Sequence, residues 1–311
     1  MNNAVGNVTS FLIWSFILVA LSFSSNAQVF NSKTDVSTRA DYRSEKAPRY
    51  QYRVRFYPQL TFENSLWSLN GFAVTGDSFA SSYNTFGADE THHFHFRRLY
   101  LRHQNEQGKT EIGVIPTYKG RVSSTGLSKD GWITGVRQVY QRSPDTQIEW
   151  VIGELNDAGD PDFWEGGKNL NYGEFELSSR FNAITGFELG LEHMLSNNFA
   201  RGEITHKLSD AHLVSFELIN RLDNHRSKVV LSLAGETHLL EENIEYFAYY
   251  SYTSDGFGER AELTEDFVDY GHAVTLEIEG QFLPEWGLDW FSKLELNEGQ
   301  QRFQLGLKFK L

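Results

Sequence analysis

Residues 301–311 read QRFQLGLKFKL: Phe303, Leu305, Leu307, Phe309 and Leu311 occupy every second position, with Gln304, Gly306, Lys308 and Lys310 between them. Side chains of an extended chain point alternately to opposite faces, so this stretch is a strand with one apolar and one polar face. The same period runs back through the chain. Val274, Leu276 and Ile278 oppose Thr275, Glu277 and Glu279; Ile244, Tyr246, Ala248, Tyr250 and Tyr252 share one face; Tyr50, Tyr52, Val54 and Phe56 interleave with Gln51, Arg53 and Arg55. From Val36 onward no stretch carries a convincing helical period. The chain reads as all-β.

Turn residues divide it into about sixteen strands, at 35–44, 49–60, 66–76, 92–104, 109–116, 131–142, 146–155, 171–181, 185–195, 199–208, 212–221, 227–236, 243–254, 270–281, 287–296 and 301–311. When successive strands run up and down, the long connections at 77–91, 117–130, 156–170 and 255–269 all fall at one end. The tight ones at 105–108, 143–145, 209–211 and 284–285 fall at the other. A transmembrane antiparallel up-and-down β-barrel explains that parity, with short periplasmic turns, longer external loops, apolar side chains on lipid and polar ones in the lumen. A soluble β-sandwich does not. Closure removes strand edges that lipid leaves unpaired, and roughly sixteen strands, with fourteen or twelve as alternatives, leave an aqueous interior. Aromatic residues near strand ends, among them Tyr50, Trp67, Trp132, Trp150 and Trp286, suit the two membrane interfaces.

Among 311 residues there is no cysteine, which excludes a disulfide scaffold and a thiolate metal site. A mean hydropathy of -0.44 is too polar for a bundle of membrane helices. A formal charge of -13 argues against non-specific nucleic-acid binding. The only long apolar run, FLIWSFILVALSF from Phe11 to Phe23, leads into Ser24, Ser25, Asn26 and Ala27 and reads as a signal peptide cut after Ala27, although residues 1–10 hold no Lys or Arg. The expected organisation is a signal peptide at 1–27 and one barrel at 28–311, exported to the outer membrane of a Gram-negative bacterium.

Continuous amphipathic strands, absence of cysteine and a last strand ending in Phe309, Lys310 and Leu311 resemble bacterial outer-membrane porins, a class that usually ends in an aromatic residue where this chain has Leu311. More narrowly, Asp41-Tyr42-Arg43-Ser44-Glu45 and the basic strand residues after it are similar to the opening of the oligogalacturonate-specific monomeric porins. The resemblance implies a passive channel, with outer-membrane lipids, the barrel-assembly machinery and small anionic or oligosaccharide solutes as partners. Nothing in the pattern separates a monomer from a trimer.

Charge is divided along the chain. Residues 28–143 hold 16 Lys+Arg and 10 Asp+Glu, a net +6, whereas residues 144–311 hold 12 and 31, a net -19. Alternation places Arg39, Arg43, Arg53, Arg55, Arg98, Arg102 and Arg137 on the lumen side of the first half. It places Glu174, Glu176, Glu188, Glu192, Glu277, Glu279 and Glu295 there in the second. Guanidinium groups in a column suit carboxylate or phosphate groups on a passing solute, and the inner aromatics Tyr249 and Phe291 suit sugar rings. The competing expectation is that these Arg and Glu side chains pair with one another and fill the interior. The 117–130 loop, TYKGRVSSTGLSKD, is placed to constrict a pore.

Other signals are weaker. His92, His93, His95 and His103 flank one strand, but polar-rim histidines are commoner than metal ligands, and no metal or cofactor is expected. The acidic loop with Asp157, Asp160, Asp162 and Glu165 lacks the EF-hand spacing. No nucleophile-elbow, zinc-protease, P-loop or dinucleotide motif occurs, so no enzyme activity is expected. His225-Arg226-Ser227 keeps an outer-membrane lipid hydrolase or deacylase as an alternative, beside a structural or adhesive barrel.

Overall fold

The computed structural model describes residues 28–311 except 45, 64, 88, 118–126, 156–161, 164–168, 240–241 and 259–269. The apolar segment at 11–23 lies outside the described residues. Seventeen strands follow in chain order: β1 (Gln28–Arg43), β2 (Arg49–Phe62), β3 (Trp67–Thr75), β4 (Asn84–Phe86), β5 (Phe94–Asn105), β6 (Gly108–Pro116), β7 (Trp132–Ser143), β8 (Thr146–Glu154), β9 (Tyr172–Arg180), β10 (Thr185–Met194), β11 (Asn197–Ser209), β12 (His212–Arg221), β13 (Arg226–Leu239), β14 (Glu242–Thr253), β15 (Gly271–Leu283), β16 (Leu288–Asn297) and β17 (Gln300–Lys310). Among the described residues, no helix is long and apolar enough to cross a membrane.

Every pairing is antiparallel, and β1 pairs with both β2 and β17, so the sheet closes on itself. The wall has sixteen lanes because β3 and β4 share one. β2 pairs with β3 between Arg55 and Thr61 and with β4 between Tyr50 and Tyr52. Two details differ from the sequence expectation. β1 begins at Gln28 rather than 35, paired with β2 from Gln28 to Asp41 despite weak alternation before Val36. The three-residue β4 interrupts what reads as one long loop.

The long connections at 76–93, 117–131, 155–171 and 254–270 share one end of the barrel. Those at the opposite end are two to four residues long, including a single turn of 3-10 helix at Pro284–Trp286.

Burial is inverted relative to a water-soluble protein. Leu189, Leu191, Phe216, Leu231 and Leu305 are about half exposed, whereas Glu111, Arg137, Glu203, Glu217, Glu295 and Arg302 are nearly inaccessible. An apolar exterior around a charged interior is the arrangement that hydrocarbon outside and water inside impose on a closed sheet.

Candidate functional site

The interior is shaped first by an irregularity in β5. Phe72 pairs with Arg98 and Ala73 with Phe96, leaving Arg97 as the extra residue of a β-bulge. A bulge re-aims side chains, and here both Arg97 and Arg98 are buried instead of one facing lipid. Arg97 donates to the carbonyl oxygens of Gly76 (2.7 Å) and Asp130 (3.3 Å). Arg98 donates to that of Gly131 (2.7 Å), and to Lys129 O. The two arginines therefore hold two connecting segments, 76–83 and 127–131, against the wall. Close approach is completed by Gly131, where a Cβ would overlap the ring of Phe79.

Asp130 joins both segments to β2. Its carboxylate accepts from Arg55 at 2.7 Å and from the Ser82 hydroxyl at 2.6 Å. Burial pushes this carboxyl up, but Arg55 and Arg53 beside it and the two hydrogen bonds outweigh that and hold it well below the usual carboxylate range. One residue beyond Ser82, the Tyr83 ring lies under two guanidinium groups, with Arg39 at 3.6 Å and Arg53 at 4.5 Å from its centroid. Its hydroxyl meets Ser37 Oγ at 3.3 Å.

These groups border a cavity of about 400 Å³ against β1, β2 and β15–β17, with Arg39, Arg53 and Arg55 on one side and Phe291 and Lys308 on another. A second cavity of about 450 Å³ lies against β11–β15. Lys129, Glu277 and Glu279 line both, so the exposed Lys129 side chain stands where the two spaces meet. Lys308 pairs with Glu279 and lies 4.9 Å from the Phe291 ring centroid.

The other charged residues are taken up by each other. Asp41 on β1 is ringed by Arg49 (2.5 Å), Arg302 of β17 (2.8 Å) and Arg43 (3.2 Å), which locks the seam where the barrel closes. Glu111 pairs with Arg102 (2.7 Å) and Arg137 (2.9 Å), and Arg137 reaches Glu149 at 2.9 Å. Arg201 is surrounded by four carboxylates, Glu176 (3.4 Å), Glu203 (2.6 Å), Glu188 and Glu217. The carboxylates of Glu174 and Glu192 share the single Tyr172 hydroxyl donor, at 2.8 and 2.9 Å. Glu295 and Tyr249 are buried.

Above this acidic half an apolar cluster forms. Leu127, Leu155 and Phe257 from three long connections pack with Ile115, Ile133, Val151, Tyr172, Met194, Phe199 and Ile219 of the wall. Of the residues read from alternation, Arg39, Arg53, Arg55, Glu277 and Glu279 thus border open space. Arg43, Arg98, Arg102, Arg137, Glu174, Glu176, Glu188 and Glu192 lie in buried or paired networks.

Of the 117–130 loop read as a constriction, Lys129 and Asp130 border the cavity, while 118–126 lie outside the described residues. Sequence reasoning missed Tyr83 and Arg201: Arg201 sits amid the alternating residues of β11 and was legible there, whereas Tyr83 lies on a loop, where period two says nothing. Among the described residues no group of three or more His, Asp or Glu is arranged to hold a metal. His92, His93 and His95 instead meet Glu90, Asp77 and Asp162 singly, and the His103 ring packs at a tilt against Trp67. Asp157, Asp160 and Glu165 lie outside the described residues. The Ser227 hydroxyl donates to the Asn220 side-chain oxygen at 2.6 Å, an acceptor that cannot take its proton.

No family model matches the sequence, and no curated protein matches it. Solved structures do match. A mutant of Rhodopseudomonas blastica porin superposes with a TM-score of 0.61 at 12% identity over 91% of this chain and 100% of the porin. An engineered protein described for asymmetric conductivity gives 0.62 at 12% identity, and a further mutant of the same porin 0.60 at 13%, with the same coverage. At such identity the likeness is one of architecture: this chain has the closed, sixteen-lane antiparallel fold of a bacterial porin barrel.

Proposed function

We propose that the protein is a passive diffusion channel of the Gram-negative outer membrane, admitting small hydrophilic solutes along its basic wall and favouring anions, acidic oligosaccharides among them. The observation that carries this reading is the unequal treatment of the two halves. Arg39, Arg53 and Arg55 border a cavity of about 400 Å³, while Glu176, Glu188, Glu203 and Glu217 are buried around Arg201 beneath an apolar cluster. A solute in the cavity beside β1 and β2 therefore meets seven Arg and Lys side chains against four carboxylates, whereas the cavity against β11–β15 is the more acidic of the two. Fixed guanidinium groups lower the barrier to an anion, and contacts weak enough to release it let transport continue.

The test is recording of the purified protein in a planar bilayer under a KCl gradient. Discrete conductance with a reversal potential on the anion side is expected, with current interruptions on adding oligogalacturonate. The apolar cluster formed by Leu127, Leu155 and Phe257 favours a second reading, a closed structural barrel. That reading requires a folded, heat-modifiable protein with no conductance.

A further inference from the structure

We infer that Arg53 anchors a saturable oxyanion-binding site inside the channel, one that holds a carboxylate or phosphate group of the solute rather than merely biasing its passage; the inference rests on the channel reading. Three arginines, Arg39, Arg53 and Arg55, border one cavity, and their bonding differs. Arg55 is satisfied by Asp130 at 2.7 Å. Arg39 donates to Gln51 at 2.9 Å. Among the described residues the Arg53 guanidinium has no hydrogen-bond acceptor and no carboxylate at ion-pair distance; it lies 4.5 Å from the Tyr83 ring centroid and feels Asp130, which Arg55 already holds, only at longer range.

Stacking on a ring leaves the in-plane N–H groups of a guanidinium free, because the cation meets the π-face while its donors lie in its own plane. Five donors without an acceptor from the protein, beside two further guanidinium groups, suit an oxyanion gripped by two parallel N–H groups. Tyr83 fixes the height of both Arg39 and Arg53, and its own position is set through Ser37 and, one residue earlier, through the Ser82–Asp130 bond. The site is thus preorganised by the 76–83 segment, and the binding cost of freezing a long side chain is already met.

The probes are galacturonate, inorganic phosphate and uncharged galactose, each added to the conducting protein. Concentration-dependent block of the parent by an oxyanion but not by galactose is expected, and R53Q should raise the half-blocking concentration about tenfold or more. Block by galacturonate alone assigns the site to sugar acids, and block by galacturonate and phosphate alike assigns it to oxyanions generally. Parent-like block in R53Q, or a conducting parent that neither anion blocks, overturns the site while leaving the channel standing. Absence of conductance overturns the channel reading and this inference with it. Where R53Q gives no heat-modifiable folded band, R53K decides: it keeps the charge but loses the fork, so a several-fold weaker block supports the site and parent-like block overturns it.

Discussion

Asp130 holds two loop segments with one carboxylate, which makes it the residue whose loss is felt furthest. Asp130→Asn keeps the shape but leaves Arg55 without its counter-charge, at a cost of about 2–3 kcal/mol to the docking of 76–83 and 127–131. Hydrogen exchange of the amides in those segments is expected to speed up while that of the strands stays put. The pH dependence has a definite sign. Because the folded carboxyl is depressed below an unfolded value of about 4, its contribution is complete above about pH 4 and is lost only as pH falls through the folded value. Loop protection at pH 7 and at pH 5 is therefore expected to be equal. Alternation alone put Arg39, Arg53 and Arg55 on one inner face, since a strand fixes the direction of each side chain. It was silent on Asp130 and Tyr83, because loop residues reach the lumen by tertiary contact.

At the level of elements, strand positions were legible to within a few residues, except for the first seven residues of β1, because turn chemistry and period two agree along most of the chain. β4 was not, being three residues long. The β5 bulge was also hidden: Arg97-Arg98 reads as one residue outside and one inside, and only the pairing of Phe72 with Arg98 and Ala73 with Phe96 shows both turned inward. Arg98 and Arg102, which look like pore residues in sequence, instead hold a loop carbonyl and Glu111. Arg97→Ala removes donors shared by Gly76 and Asp130 carbonyls and is expected to expose 76–83 and 127–131 to proteolytic nicking, a loss of about 2 kcal/mol, with the heat-modifiable barrel band intact. A barrel that fails to form would show that the bulge, not the loops, depends on this side chain.

Over the whole molecule the net charge of -13 and the expected anion preference point in opposite directions. The resolution is placement: what a solute senses is the potential along its path, not the sum over the chain. Burial around Arg201 keeps four of the 41 acidic side chains out of that path, at the risk of mutual repulsion. Arg201→Gln is accordingly expected to destabilise the barrel by about 3–5 kcal/mol, read as a lower temperature for loss of the compact electrophoretic band, whereas Glu203→Gln leaves the hub with three carboxylates and costs less. This hub was readable only in part, since alternation shows that the glutamates face inward but not that one arginine gathers them.

The seam adds a constraint in time. Asp41 and Arg302 are 261 residues apart and meet only when β17 lies against β1. Contacts of such separation form late, because loop-closure entropy must be met before they give anything back. Until then β1 is a bare edge, with a half-apolar strand on offer to any other extended chain. A molecule closed in this way stays open to wrong pairings for as long as its two ends remain strangers.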